Sequence, residues 1–478
     1  MLTFADLIEA IINFRPEMTP IFITEAAVDS RQIIPGGLFV AIPGENVDGH
    51  AYVTQAFQRG AVAALIEHEI EAPFTTIDLR NGASALDVLQ VEALSHLKLP
   101  VCFIVTNSVT ALQQIAAFWR RKLDIRVIGI TGSVGKSTTK EAIAQVLSQR
   151  YITLKSAANL NNEIGLPLNV LKLTAGHQRA VLEMGFYVPG EIKQLCEIAL
   201  PQVGVLNNIG TVHAERAGSQ EIIAQGKGEL VEALPPAPEG IAILNYDDPF
   251  VRPMSARTQA RVFYYGLSPE AHLWADQVEG MGLEGIRFRL HYKNETLHLR
   301  VPMIGRHSVE TVLRATAVGL VEGLTWDEIV RGMQESQAQL RLSAVRAESG
   351  ALIIDDTYNA SPESMLAALN LLDELQGRKI AVLGDMLELG QYEEDGHQKI
   401  GIRAAQVADV LVTLGLRAHM IAEAARKAGM KKTSIFEYEE LDKIVDWLNQ
   451  HLKSEDVVLI KGSHGLRMER IVAALEVS

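Results

Sequence analysis

The chain has 478 residues, 48% of them apolar and 21% charged, and a formal net charge of −14. That length exceeds one ordinary core and implies roughly two to four domains, and the composition excludes a disordered or fibrous protein. The acidic balance without a basic stripe excludes a general nucleic-acid binder, and the two isolated cysteines, Cys102 and Cys196, exclude a disulfide framework and read as small buried apolar residues in a reducing compartment.

In chain order, MLTFADLIEAI sets acidic residues inside an apolar stripe without a basic leader, so it predicts an amphipathic helix and not a signal peptide. No apolar run approaches the roughly 20 residues of a bilayer span, and the expectation is a cytoplasmic protein with no membrane insertion. The first block, residues 1–98, carries the short apolar runs Gly37 to Ile42 and Ala61 to Ile66 with a helical pattern between them. A stretch from Asn81 to Leu99 gives no assignable pattern.

The second block, residues 99–337, opens with a strand from Val101 to Val105 and a helix from Ala111 to Arg121. Strand-like runs follow at Ala180 to Glu183, Val203 to Asn207 and Ile241 to Asn245, separated by helical patterns, which predicts a mostly parallel, helix-covered sheet. Past Tyr264 the text alternates, at Ile286 to Tyr292 and Leu297 to Val301, as antiparallel strands do. The third block, residues 338–478, has buried-type strands at Leu352 to Asp355, Ile380 to Leu383, Val410 to Leu414 and Val457 to Ile460. Helical patterns at Ser364 to Leu375 and His397 to Ala408 separate them, and the block reads as a doubly wound, Rossmann-like α/β unit.

The chemistry concentrates after the β-branched run Val127 to Thr131, which breaks into Gly132-Ser-Val-Gly-Lys-Ser-Thr138. A glycine loop between a strand and a helix aims backbone N–H groups and the helix dipole at one spot, which suits phosphate. Lys136 is placed to reach the β/γ-phosphates and the Ser137 hydroxyl to reach Mg²⁺. Ile130 stands where the first glycine of the usual phosphate-loop pattern belongs. Such a loop alone says only that a nucleoside triphosphate binds. Glu183 closes a strand at the carboxyl edge of the sheet, His213 follows the next strand, and Lys227 stands 14 positions further on. Glu183, His213 and Ser137 together could hold Mg²⁺, although that ion prefers oxygen ligands.

TGSVGKSTTKE, Asn159-Leu-Asn-Asn-Glu-Ile-Gly-Leu-Pro167, LEMG, Asn207-Asn-Ile-Gly-Thr-Val-His213 and Gln225-Gly-Lys-Gly-Glu229 together resemble the ATP-dependent Mur ligases of peptidoglycan synthesis. In the first block, Asp29-Ser-Arg31, Pro35 to Ala41 and Asp48-Gly-His50 are similar to the part of those enzymes that holds a UDP-sugar. In the third, Asp355 to Met365, Gly384-Asp-Met-Leu-Glu-Leu-Gly390 and Lys461-Gly-Ser463 resemble the branch that adds D-alanyl-D-alanine. The resemblance runs in order over essentially the whole chain. It implies three α/β domains: a small UDP-binding one, a central phosphate-loop one with a mostly parallel sheet, and a C-terminal Rossmann-like one.

Position by position, the resemblance implies that Thr131, Gly132, Ser133, Val134, Gly135, Lys136, Ser137 and Thr138 cradle ATP, with Asn162 as a further ATP contact. Ser137, Glu183 and His213 hold magnesium, two ions in all, and Lys227 matches a lysine that is carbamylated in several relatives, which would make it an anionic ligand. Arg341 reaches the γ-phosphate from the third domain when that domain closes, Asp356 approaches the ribose, and Tyr358 and Asn359 lie near the adenine or the incoming dipeptide. Ser30, Arg31, Gly44, Asp48, Gly49 and His50 bind the UDP substrate. The implied reaction joins a UDP-muramoyl-tripeptide to D-alanyl-D-alanine through an acyl phosphate, in a monomer.

This chain departs from the family pattern in two places. Ser308 and Thr311 stand where relatives carry asparagines that the resemblance assigns to adenine, and Leu340 replaces a glycine before Arg341. An altered nucleotide affinity is the expectation. The competing readings are another ligase of the superfamily, including a folylpolyglutamate type, a phosphate-loop kinase or ATPase, and a non-catalytic scaffold.

Overall fold

The computed structural model describes residues 1–44, 47–71, 73–80, 97–335 and 343–476. It resolves into two compact units, one of Met1–Gly129, Tyr151–Gly185 and Glu191–Val203, the other of Ile130–Arg150, Phe186–Gly190 and Gly204–Ser478.

In the first unit, four apolar runs buried on both faces and the more exposed edge strand Thr75–Asp78 form an all-parallel sheet, in the order Ala26–Ala27, Leu38–Val40, Ala63–Ile66, Val101–Ile104 and Thr75–Asp78. Phe39, Ala64, Ile66, Cys102 and Ile104 pack there against Val53 and Ala56 of the helix Val53–Gln58. Cys102 and Cys196 are both buried thiols, as expected. The strand Val101–Ile104 corrects one reading: assigned from sequence to the second block, it pairs with Ala63–Ile66 and Thr75–Asp78. Thr75–Asp78, with one apolar residue in four, carried no strand signal, so the partner that draws Val101–Ile104 into this sheet was invisible. The unassigned stretch from Asn81 lies, through residue 96, outside the described residues.

The N-terminal helix, Phe4–Ile12, is held by a capping box between Thr3 and Asp6. Burial alone would raise the Asp6 carboxyl, but hydrogen bonds from Arg15, Lys122 and Thr3 hold it well below the usual carboxylate range. A depressed carboxylate stabilises the fold above its unfolded pKa and loses that contribution as pH falls through the folded value. Asp6→Asn is therefore expected to lower stability at neutral pH and to flatten its decline below about pH 4, measured by urea unfolding across an acid series.

The rest of this unit has the helices Ser108–Arg121, Gly165–Leu171 and Glu191–Ala199 and the parallel pair Thr153–Lys155 and Arg179–Glu183. Arg120 is buried and donates to the carbonyls of Leu123, Ile125 and Ala199, which satisfies its guanidinium away from water.

In the second unit, Ile241–Asn245, Arg261–Gly266 and Leu273–Gly280 pair in parallel, and Ile286–Tyr292 and Glu295–Val301 extend them antiparallel, as the alternating text predicts. Its other sheet runs Ser343–Arg346, Leu352–Asp355, Asp456–Lys461, Arg378–Gly384, Val410–Leu414 and Ile435–Tyr438, parallel except at the first strand. Pro362–Glu374, Glu393–Val407 and His419–Lys427 cover one face, and Leu441–His451 and Glu469–Leu475 the other. This is the expected doubly wound sheet. Its carboxyl edge presents Asp355, Asp385 and Lys461, at the place where ligands of such sheets gather.

Candidate active site

The strand Arg126–Thr131 ends in Gly132, at φ +153°, and Gly135, at φ +79°, caps the helix Lys136–Leu147. Glycine is required at 132 by space as well: a Cβ there would lie 2.7 Å from Asn207 Cβ. The loop is braced from behind by the asparagine pair that follows the strand Val203–Leu206. Ser133 N–H donates to the Asn208 carbonyl and Val134 N–H to Asn208 Oδ1, both at 2.9 Å, while Asn207 Nδ2 donates to the Val134 carbonyl at 3.0 Å. Two of the expected cradle amides are thus spent on structure. The amides of Gly135 to Thr138 precede the first helical hydrogen bond, from Thr139 N–H to the Gly135 carbonyl, and they form the anion-facing end of the helix.

Two ammonium groups converge on this loop. Lys136 Nζ donates to the Gly132 carbonyl at 2.8 Å, and Lys227 Nζ donates to the same oxygen at 3.2 Å. Lys227 is fully buried at the end of the helix Gln220–Lys227, with Nζ 4.7 Å from the Phe186 ring centre. His213 sits in the left-handed region at φ +68°, its ring edge-on to Tyr187 at 4.8 Å and its Nδ1 2.6 Å from Glu388 Oε2. Burial, then the charges of Lys136 and Lys227, pushes the imidazole down to about 4, so it is neutral at physiological pH.

The third-block residues gather at the carboxyl edge of their sheet. Lys461 Nζ lies 2.7 Å from Asp356 Oδ2 and donates to the Asn359 carbonyl at 2.8 Å, while the half-exposed Tyr358 faces the His464 ring. Arg341 lies outside the described residues.

Behind the loop lies a network that the sequence did not disclose. Arg314, 3% exposed, donates from Nε to the Tyr265 hydroxyl at 2.8 Å and from Nη1 to Thr139 Oγ1 at 3.2 Å, and pairs with Glu310. Tyr265 in turn donates to the carbonyls of Leu206 and Asn207. The readable signal was a lone cation in the mostly apolar stretch Val312 to Val318. Ser308 and Thr311 are buried on the same helix, and the Ser308 hydroxyl is spent on the Ile304 carbonyl at 2.7 Å. His307 beside them is pushed down to about 4 by burial and by the charges of Lys461 and Arg314.

In the first unit, Glu183 is buried, accepts from Asn161 Nδ2 at 2.8 Å, and donates its own N–H to Ser156 Oγ at 3.0 Å. Asn162 Oδ1 instead accepts from Gly165 N–H at 2.9 Å, fixing the turn into the helix Gly165–Leu171. The Asn161-Asn162 pair therefore divides its work: the first side chain serves the carboxylate, the second the backbone.

At the expected UDP-sugar residues, Ser30 Oγ donates to Gln55 Oε1 and Arg31 pairs with Asp29. Gly44 N–H donates to the Val47 carbonyl, and Gly49 lies so close to the chain that a Cβ would meet Ile42 N at 2.6 Å. Asp48 Oδ1 lies 2.6 Å from His50 Nδ1, and Glu67 N–H donates to His50 Nε2 at 2.8 Å. Asp48, His50 and His68 are spaced closely enough to hold an ion. Both His50 nitrogens are already engaged, however, and a neutral imidazole keeps only one lone pair. His50 acts there as a brace for its loop.

The family models that match this sequence are the Mur ligase family catalytic domain over residues 23–117, the Mur ligase middle domain over 130–319, and the Mur ligase glutamate ligase domain over 340–464. UDP-N-acetylmuramoyl-tripeptide--D-alanyl-D-alanine ligase of Bacillus subtilis is 34% identical over 464 residues, 96% of this chain and 94% of that protein. Among solved structures, MurF from Acinetobacter baumannii superposes with a TM-score of 0.81 at 29% identity, covering 98% of this chain and 97% of that one. MurF ligase from Thermotoga maritima in complex with ADP gives 0.76 at 27% identity, covering 94% and 96%.

Proposed function

This chain belongs to the Mur ligase family, and from that premise we propose that it joins D-alanyl-D-alanine to UDP-N-acetylmuramoyl-tripeptide at the expense of ATP, in peptidoglycan precursor synthesis. Amide formation from a carboxylate and an amine is uphill in water, so the carboxylate is activated first. The γ-phosphoryl group of ATP passes to the terminal carboxylate of the tripeptide, giving ADP and an acyl phosphate. The amine of the dipeptide attacks the acyl carbon, the tetrahedral intermediate expels phosphate, and the amine loses a proton. Catalysis is mainly positioning and charge neutralisation.

The family match carries the choice of substrates, and the observation that carries the ATP site is the Lys136 ammonium held 2.8 Å from the Gly132 carbonyl, beside the amides of residues 135 to 138. That arrangement is built for a polyanion. Lys136 neutralises charge on the γ-phosphoryl group as it transfers. Asp356, held in place by Lys461, meets the ribose; Tyr358 and Asn359 flank the adenine or the dipeptide; and Arg341 reaches the γ-phosphate on closure. Asn162, through the amide nitrogen its backbone bond leaves over, completes the ATP contacts, and Ser30, Arg31, Gly44, Asp48 and Gly49 take the UDP-sugar on a loop that His50 braces. With the Ser308 hydroxyl turned to backbone, this chain has no asparagine amide there for adenine, which favours altered nucleotide affinity.

Ser137, Glu183 and His213 are the residues that would hold magnesium, two ions in all. The donor chemistry fits: a hydroxyl and a carboxylate, both in buried residues, and an imidazole kept neutral. When bound, the metal screens the repulsion between the carboxylate and the triphosphate. Carbamylation of Lys227 would convert a buried cation into an oxygen ligand, and the neighbouring positive charge of Lys136 favours the neutral amine this requires. Lys227→Ala is expected to lower turnover by about 10²–10³-fold. Formate or acetate should restore part of it; the absence of rescue at any concentration would remove the carbamate from the scheme.

A first domain that runs past Val105 to take in the strand Val101–Ile104, a central domain from there to 337 and a third domain of 338–478 divide these tasks in a monomer working in the cytoplasm. Among the described residues no helix is long and apolar enough to cross a membrane. Phosphate release by the purified protein tests the whole reading. It is expected only when ATP, the UDP-muramoyl-tripeptide and D-alanyl-D-alanine are all present. Release without either co-substrate would mean an ATPase, and no release under any condition a scaffold.

A further inference from the structure

The imidazole of His213 takes its orientation from a segment more than 170 positions away in sequence, at Glu388. A carboxylate can only accept a hydrogen bond, so the 2.6 Å contact makes His213 Nδ1 the protonated nitrogen and leaves the lone pair on Nε2. No described residue hydrogen-bonds that Nε2.

The contact belongs to a docked strip and not to two chance surface side chains. Glu388 itself is held at φ +64°, and its carbonyl accepts from Glu215 N–H at 3.2 Å. Gly390, at φ +54°, comes so close that a Cβ would lie 2.9 Å from Glu215 Cα. Gln391 Nε2 donates to the Gly218 carbonyl at 3.2 Å, and the Tyr392 hydroxyl accepts from Gln220 N–H at 3.3 Å. On its other flank the strip is tied to the six-stranded sheet, with Leu387 N–H donating to Ser463 Oγ and Met386 N–H to His397 Nε2. Residues 386–392 are therefore laid along 213–220 and anchored behind.

We infer that Glu388 is a positioning residue for the ligation: seating of the 386–392 strip supplies the acceptor that selects the His213 tautomer able to bind metal through Nε2. The inference rests on the reading of His213 as a metal holder. It couples the metal site to the third block, so that the site is complete only when that block is docked. Partners of this kind behind a ligating histidine change metal affinity by about 10–100-fold.

The test uses full-length protein with Mn²⁺ and a non-hydrolysable ATP analogue. Mn²⁺ affinity is read by electron paramagnetic resonance, and the His213 tautomer by nitrogen-15 chemical shifts in histidine-labelled protein. Glu388→Ala is expected to weaken Mn²⁺ binding by about tenfold or more and to populate the Nε2-protonated tautomer. It should also lower kcat while leaving KM for the UDP-substrate unchanged. Glu388→Gln keeps an acceptor and should recover most of the loss. His213→Ala separates the two ideas. If it weakens Mn²⁺ binding while Glu388→Ala leaves affinity and tautomer as in the parent, the positioning role is wrong and the ligand assignment stands. If His213→Ala leaves Mn²⁺ affinity unchanged, the ligand assignment fails and this inference goes with it.

Discussion

Lys136→Ala is expected to lower turnover by about 10³-fold while leaving the fold and the affinity for the UDP-substrate intact. The reasoning starts from where the charge is held. Lys136 stands at the first helical position after Gly135, and its ammonium folds back over the loop to the carbonyls of Gly132 and Ser133, at 2.8 and 3.4 Å. Those bonds hold the ammonium over the anion-facing helix end without costing the loop its shape, because the loop is braced separately by Asn207 and Asn208. Truncation therefore removes charge and not architecture. Charge that builds on the γ-phosphoryl oxygens in the transition state loses its compensating cation, while ground-state ATP keeps the amides of residues 135 to 138. Steady-state kinetics should show kcat falling far more than KM for ATP rises. A rise in KM for ATP with kcat unchanged would mean that the lysine serves binding alone.

Arg314→Met is the second large effect, and it acts on stability. The guanidinium is 3% exposed and its Nε, Nη1 and Nη2 each hold a different element: Tyr265 on a strand, Thr139 on the phosphate-loop helix, and Glu310 on its own helix. Methionine fills much of the volume but offers no donor. Glu310, 37% exposed, can turn to water, and Thr139 Oγ1 keeps a donor in Asn207 Nδ2 at 3.2 Å, so the main penalty is the buried Tyr265 hydroxyl left without its donor and the loss of the guanidinium's packing. A loss of about 3 kcal/mol is expected, seen as a lower urea midpoint with an unchanged slope. Because Thr139 lies one helical turn past Gly135, ADP affinity should fall as well. Arg314→Lys, which keeps the charge but not the planar fork, should fall between the two. A parental midpoint for Arg314→Met would show that the network carries no stability.

The parts of this molecule that could be read from sequence are those whose signal is local. The phosphate loop is one continuous stretch with glycines at its turns. The doubly wound third block announces itself by four apolar runs with helical patterns between them, and the antiparallel strands past Tyr264 by their alternation. What stayed hidden depends on partners distant in the chain. Ser343–Arg346 and Ile435–Tyr438 are edge strands, too short and mixed to stand out until the sheet beside them is known. At the site, Lys136, His213 and Lys227 came from motifs, whereas Glu388 sat inside a quoted motif with no role until the fold laid it against His213. The Asn161-Asn162 pair shows the same limit: two identical side chains in sequence, separated in function only by which of them faces Glu183.

The place of Val101–Ile104 in the N-terminal sheet bears on how the protein can be dissected. This strand lies between Ala63–Ile66 and Thr75–Asp78, an inner position and not a margin. A fragment cut at residue 98 would leave two rows of main-chain amides and carbonyls unsatisfied on either side of a gap, an invitation to intermolecular pairing and precipitation. Extending the fragment past Val105 closes the gap. The smallest soluble N-terminal module should accordingly be sought several residues downstream of the border that composition alone suggests.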